Sequence, residues 1–196
     1  MDFFNGPTGF PQTQRHGEVS SPLVDDPSTW VKAAQFGDRE AFDRLVEVHG
    51  RPLLRYLQTL TGSAVNADDL AQDAWLQAYR NLASLQDPSL FRGWLLKIGY
   101  HRYLRWVRDR KPVVELKPEE FSGSTGNPHT HEGLTDAVRE AVRKLPEDQR
   151  TVVALRFGEG LSHAEIAEIT DSEVATVRWR LFTARQTLQS ILKDWK

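Results

Sequence analysis

Cysteine is absent from all 196 residues, which excludes disulfides, thiolate zinc sites and cysteine nucleophiles together. Long apolar runs are absent as well. Nothing approaches the roughly 18 consecutive apolar residues of a membrane span, and the opening Met1-Asp2-Phe3-Phe4-Asn5-Gly6-Pro7 has neither the basic start nor the apolar stretch of a secretory signal. A cytoplasmic protein with no membrane span is expected. No glycine-rich phosphate loop or serine–histidine constellation occurs. His129-Thr130-His131 is the densest histidine pair, with His16 and His163 elsewhere. It sits among glycine and proline without a scaffold to fix ligand geometry, so no metal, no cofactor and no catalytic residues are expected, and the chain is not expected to be an enzyme.

An excess of positive charge is also missing, since the net charge is −2. Divided along the chain, however, the balance is uneven. Residues 1–30 carry −3, residues 31–111 carry +4, residues 112–133 carry −3 and residues 134–196 are neutral. The positive segment ends in Arg92, Lys97, Arg102, Arg105, Arg108, Arg110 and Lys111, opposed by Asp109 alone. Such a stripe is dense enough to sit on phosphates, although a charge run taken alone is as often a solvated helix face.

The apolar residues recur at helical spacing and no segment alternates with the period of a strand. Residues 1–26, rich in glycine, proline, serine and threonine, bury too little to offset the entropy of ordering, and a disordered tail is expected there. Asp26-Pro27-Ser28 is a helix start. Gly37-Asp38 divides the following pattern into a short and a long helix. Asn66 can cap a third helix, and Pro88-Ser89 can open a fourth that carries the basic stripe. Residues 112–133 mix proline, glycine, serine and charge without period and read as a flexible linker. Helices resume from Leu134. The expected fold is therefore all-α: two small helical domains, residues 27–111 and 134–196, joined by that linker, with a helix-turn-helix in the second.

The helix-turn-helix rests on a specific signal. In Ser162-His163-Ala164-Glu165 the Ser162 hydroxyl accepts from the first turn while Glu165 reaches back to the Ser162 amide, a capping box. A short helix follows, then the turn Thr170-Asp171-Ser172, then a helix with Val174, Val177, Leu181, Leu188 and Ile191 on one side. That pattern leaves Glu173, Thr176, Arg178, Arg180 and Arg185 pointing outward, as base readers or phosphate anchors for a helix that enters a major groove. Ser162, at the start of the first of the two helices, completes this set. An ordinary three-helix packing module with solvated arginines has the same outline. Whether Trp179 packs inward or faces DNA is open.

Three blocks of the second domain, Leu145-Pro146-Glu147-Asp148-Gln149-Arg150, Leu155 to Ala167 and Ala175-Thr176-Val177-Arg178-Trp179-Arg180-Leu181, closely resemble in order and spacing the C-terminal DNA-binding domain of extracytoplasmic-function (ECF) sigma factors of bacterial RNA polymerase. Asp38-Arg39-Glu40-Ala41-Phe42, Ala67 to Trp75 and Phe91 to Ile98 resemble the same family's N-terminal domain. The resemblance implies a sigma factor that binds core RNA polymerase and directs initiation at particular promoters. Its partners would be core RNA polymerase and promoter DNA, with an anti-sigma factor of the kind that holds many members. Asp68, Asp69, Gln72 and Asp73 would meet the polymerase clamp. Spacing agrees, since it puts Asp69, Gln72 and Asp73 on one helix face. Aspartates favoured by a helix N-terminus are the plainer account of Asp68 and Asp69.

The resemblance further implies that the loop from Ala83 to Ser89, with Ser84, Gln86 and Asp87, captures a flipped base. Arg92, Lys97, His101, Arg102, Arg105 and Arg108 would track the strand, and the C-terminal domain would read the minus-thirty-five element. Trp94, Tyr100, Tyr103 and Trp106 are available for stacking, although the spacing of Trp94 and Trp106 suits a core better. Members often carry Asn and Asp at the positions of His101 and Arg105, and Gly and Ser at those of Ala175 and Trp179, so the promoter sequence does not transfer. A polymerase-independent helix-turn-helix repressor or activator is the rival reading. It leaves the acidic face and the first domain's basic helix without a use.

Overall fold

The computed structural model describes residues 26–110 and 131–193. The expected tail, but for Asp26, and the expected linker up to residue 130 lie outside these. Every regular element among the described residues is helical.

The N-terminal unit holds α1 (Pro27–Gln35), α2 (Arg39–Thr61), α3 (Ala64–Asn81) and α4 (Phe91–Asp109). Local chemistry sets each boundary. Asp26 caps α1, with Pro27 in its first turn, where a missing N–H costs nothing. Asp38 caps α2 by accepting from the Ala41 amide at 3.1 Å. Gly62 ends α2 in the left-handed region, at φ 68°, a conformation that glycine adopts without strain. Ser63, and not Asn66, caps α3; Asn66 lies within the first turn and its Oδ1 accepts instead from Arg110 at 3.2 Å. The expected start at Pro88-Ser89 is a 3₁₀ turn, Pro88–Leu90, capped by Asp87 and leading directly into α4.

The core of this unit forms where α2, α3 and α4 meet, around Leu45, Leu53, Leu57, Leu60, Ala74, Phe91 and Leu95. Burial of each such leucine contributes about 1.5–3 kcal/mol. Alanines on α3 (Ala67, Ala71, Ala74, Ala78), all buried, let α3 approach its neighbours closely. Gly99 does the same for α4: a Cβ there would lie 2.9 Å from Leu53 Cδ1.

The C-terminal unit holds α5 (His131–Arg143), α6 (Glu147–Val153), α7 (His163–Ile169) and α8 (Val174–Leu192). Helix α5 begins inside the stretch expected to be linker, three residues before Leu134. Between α6 and α7 the chain makes one π-helical turn, Ala154–Gly158, in which the Glu159 amide donates to the Ala154 carbonyl at 3.2 Å. Helices α5, α6 and α7 all pack on α8. A small cluster of Leu145, Val153 and Ala184 closes one side.

The other side of this unit is not closed by itself. Val152, Leu155, Leu161, Ile166 and Val177 belong to the same continuous apolar core as the N-terminal helices, with contacts of α7 on α4 and of the π turn on α2. The two units therefore sit against one another, an arrangement that helical periodicity does not encode.

Candidate nucleic-acid and protein interfaces

Along α3 the alanines and Leu70 face inward, which leaves Val65, Asp68, Asp69, Gln72, Asp73, Leu76 and Tyr79 exposed. Val65 is 71% exposed and Tyr79 53%. The surface is thus acidic and apolar at once, whereas the spacing alone pointed to an acidic one. Asp73 stands apart from the others, 3.8 Å from Arg102 on α4, an ion pair worth little at this exposure. Arg102 also donates to Gln77 Oε1 at 2.8 Å. Asp68, Asp69 and Gln72 form the outward part of the set.

The loop between α3 and α4 is shaped by its anchors. Leu82 and Leu85 are buried, and Gln35 Nε2 donates to both of their carbonyls, at 3.0 and 2.7 Å. Ser84 donates to the Asn81 carbonyl. Asp87 accepts from the Ser89 amide and hydroxyl, and these bonds to its charged form hold its carboxyl below the usual range. Ala83, Ser84, Gln86, Asp87 and Ser89 remain exposed, a largely polar rim on a fixed backbone that ends at the exposed Leu90. Gln35 was not among the expected site residues, because its role depends on a contact 47 residues away.

On α4, Lys97, His101, Arg105 and Arg108 fall at helical spacing along one stripe, and Arg105 and Arg108 are exposed. Arg102 is turned toward α3. Arg110 lies over the Trp106 ring, 4.1 Å from its centroid. The aromatic residues correct one expectation: Tyr103 is only 2% exposed, and burial pushes its hydroxyl up to about 12, so it is core and no stacking platform. Trp94, Tyr100 and Trp106 are half-buried against that core, as the spacing suggested for the two tryptophans.

In the C-terminal unit the capping box forms as read. The Glu165 amide donates to Ser162 Oγ at 3.2 Å and the Ser162 amide donates to Glu165 Oε2 at 2.7 Å, which lowers the Glu165 carboxyl. Arg156 donates to the Leu161 carbonyl at 2.7 Å and holds the bend before it. The turn between α7 and α8 places Asp171 at φ 48°, a left-handed conformation that Asp tolerates better than most residues.

Of the expected readers, Glu173, Arg178 and Arg185 are exposed, while Thr176 is half-buried. Arg180 departs from the expectation: it is turned to α6, where its Nε lies 3.2 Å from Asp148 Oδ2. The outward face of α8 is instead Ala175, Arg178, Trp179, Phe182, Arg185 and Gln186. Trp179 and Phe182, each 60% exposed, settle the open question of Trp179 in favour of the surface. Phe182 was missed, although its position three residues after Trp179 and opposite Val177 and Ala184 could have shown it.

A helix-turn-helix joined to a helical unit with an acidic face and a basic helix is the layout of a sigma-70-type factor, and family comparison agrees. The Sigma-70 region 2 model matches residues 45–113 and the Sigma-70 region 4 model matches residues 135–188. The RNA polymerase sigma-H factor of Pseudomonas aeruginosa is 32% identical over 177 residues, covering 83% of this chain and 92% of that protein. The ECF RNA polymerase sigma-E factor of Escherichia coli (strain K12) is 32% identical over 186 residues, 88% of this chain and 96% of its own length. Among solved structures, CnrH in complex with the cytosolic domain of CnrY superposes with a TM-score of 0.67 at 26% identity, covering 86% of this chain and 99% of CnrH. The chain belongs to the extracytoplasmic-function sigma factors, and its function is to bind core RNA polymerase and direct promoter-specific initiation of transcription.

Proposed function

We propose that the exposed face of α3 is the polymerase-docking surface, with Asp68, Asp69 and Gln72 meeting cationic partners and Val65, Leu76 and Tyr79 supplying apolar contact. The observation that carries this is the combination of acidic and large apolar side chains exposed on one helix whose other face is packed with alanines. Large apolar side chains lined up on one exposed helix face and rimmed by charge are the kind of patch that a protein partner covers.

In the same reading the rim of Ser84, Gln86 and Asp87 takes a base from the melted strand, and Lys97, His101, Arg105 and Arg108 follow its phosphates, with Arg92 at the start of the helix. Arg178, Trp179, Phe182 and Arg185 enter the major groove of the upstream duplex, with Glu173 and Thr176 at the leading end. The protein supplies recognition and no chemistry of its own, and works in the cytoplasm where polymerase is. A regulatory partner of the anti-sigma kind fits the family, and the capture of CnrH by CnrY supports it.

Run-off transcription with core polymerase on a library of promoter fragments tests this. Wild type is expected to yield specific transcripts. Asp69→Arg/Gln72→Arg is expected to abolish core binding and transcripts while the protein stays folded by circular dichroism. Normal core binding by that variant would move the docking surface elsewhere. Failure of wild type to bind core would favour polymerase-independent regulation.

A further inference from the structure

The second helix of the helix-turn-helix carries its two aromatic side chains on the outside. Along α8, Val177 and Ala184 are fully buried. On the opposite face Ala175, Arg178, Trp179, Phe182 and Arg185 recur at steps of three and four residues, all exposed. Trp179 and Phe182 are each 60% exposed. Three residues separate them, so the rings are neighbours offset by about 4.5 Å along the helix axis. No hydroxyl competes with them there, since Thr183 Oγ1 donates to the Trp179 and Arg180 carbonyls, both at 3.0 Å, and is engaged within the helix.

Two neighbouring aromatic rings held in water mark a surface that something covers, and the charge of α8 indicates what. Val174–Leu192 holds three arginines and no acidic residue, and Arg178 and Arg185 flank the rings on the exposed face. Such a rim matches a polyanion. The apolar group that a major groove presents on its base edges is the C5-methyl of thymine. Successive bases of one strand rise by about 3.4 Å, close to the axial offset of the two rings. We infer that Trp179 and Phe182 read the C5-methyl groups of two adjacent pyrimidines in the upstream element, while Arg178 and Arg185 hold the strand on either side. The inference rests on the reading of α8 as the helix in the major groove. It adds that the determinant is the methyl group itself, whichever pyrimidine bears it: thymine is preferred to uracil, and 5-methylcytosine to cytosine.

The test uses holoenzyme assembled from core polymerase and the full-length protein, with a promoter fragment recovered from the run-off library as the probe. Its upstream element is expected to hold two adjacent thymines on one strand. Duplexes carrying thymine, uracil, cytosine or 5-methylcytosine at both positions, each correctly paired, are compared by mobility shift. Removal of each methyl is expected to weaken wild-type binding about fourfold, and 5-methylcytosine is expected to bind more tightly than cytosine by a similar factor per methyl. Trp179→Ser/Phe182→Ala changes two exposed side chains, and its fold is checked by circular dichroism. It is expected to bind the thymine and uracil duplexes equally. The cycle between side chains and methyls removes any effect of uracil on the duplex itself.

Equal wild-type affinity for the thymine and uracil duplexes would overturn the inference. So would a thymine preference that survives in the double variant, or a selected upstream element without adjacent thymines. Arg178→Ala separates this inference from the reading beneath it. If that variant binds all four duplexes more weakly while the methyls make no difference, α8 enters the groove and only methyl reading fails. If Arg178→Ala and the double variant both leave promoter affinity unchanged, the groove reading of α8 fails as well, and the aromatic face belongs to a protein partner.

Discussion

His49 shows how burial of a single titratable group governs response to pH. It is 9% exposed within α2, its ring centroid 5.3 Å from that of Phe91, and its Nε2 has no hydrogen-bond partner among the described residues. Burial, and then the nearby Arg92 charge, lower it from its ordinary value of 6.5. The unfolded chain therefore binds a proton at His49 at a higher pH than the folded chain does. Stability contributed by the neutral ring is present above about 6.5 and is lost as pH falls below it. Denaturant unfolding of wild type between pH 7 and pH 5 is expected to show this loss, and His49→Gln is expected to reduce the slope. Equal slopes would show that His49 does not control acid sensitivity. Composition alone does not mark this residue among six histidines; its burial depends on where Phe91 packs.

At the scale of an element, the capping box was legible because the chemistry is local. Ser162 and Glu165 satisfy two helix-end donors within four residues, and α7 spans only seven residues, too short to persist on propensity alone. Ser162→Ala is expected to cost about 1 kcal/mol, measured as a lower denaturation midpoint at unchanged slope. It is also expected to weaken promoter binding, because α7 buttresses α8. No change in midpoint would show that packing of Ile166 and Ile169 holds α7 without its cap. Asn66 illustrates the converse: it too is a good capping residue, but Ser63 follows immediately on the Gly62 reversal and takes the role first.

At the scale of the molecule, the two family regions share one apolar core. Leu155 is fully buried at the π turn that packs on α2. Leu155→Ala is expected to cost about 2–5 kcal/mol and to shift helix circular dichroism and tryptophan fluorescence together in a single transition. Separate transitions for the two signals would mean that the units fold independently. Much of the architecture could be read beforehand, since the 3.6-residue period, the Gly37-Asp38 break and the capping signals are properties of neighbouring residues. For the same reason the sequence alone determined the helical class, the helix-turn-helix and the family. Tertiary structure decided that Tyr103 is core, that Arg180 turns to Asp148, and that Arg92, Lys97 and His101 are held by Glu159 and Asp171. Those outcomes depend on which faces meet when helices distant in sequence dock, and no local period carries that information.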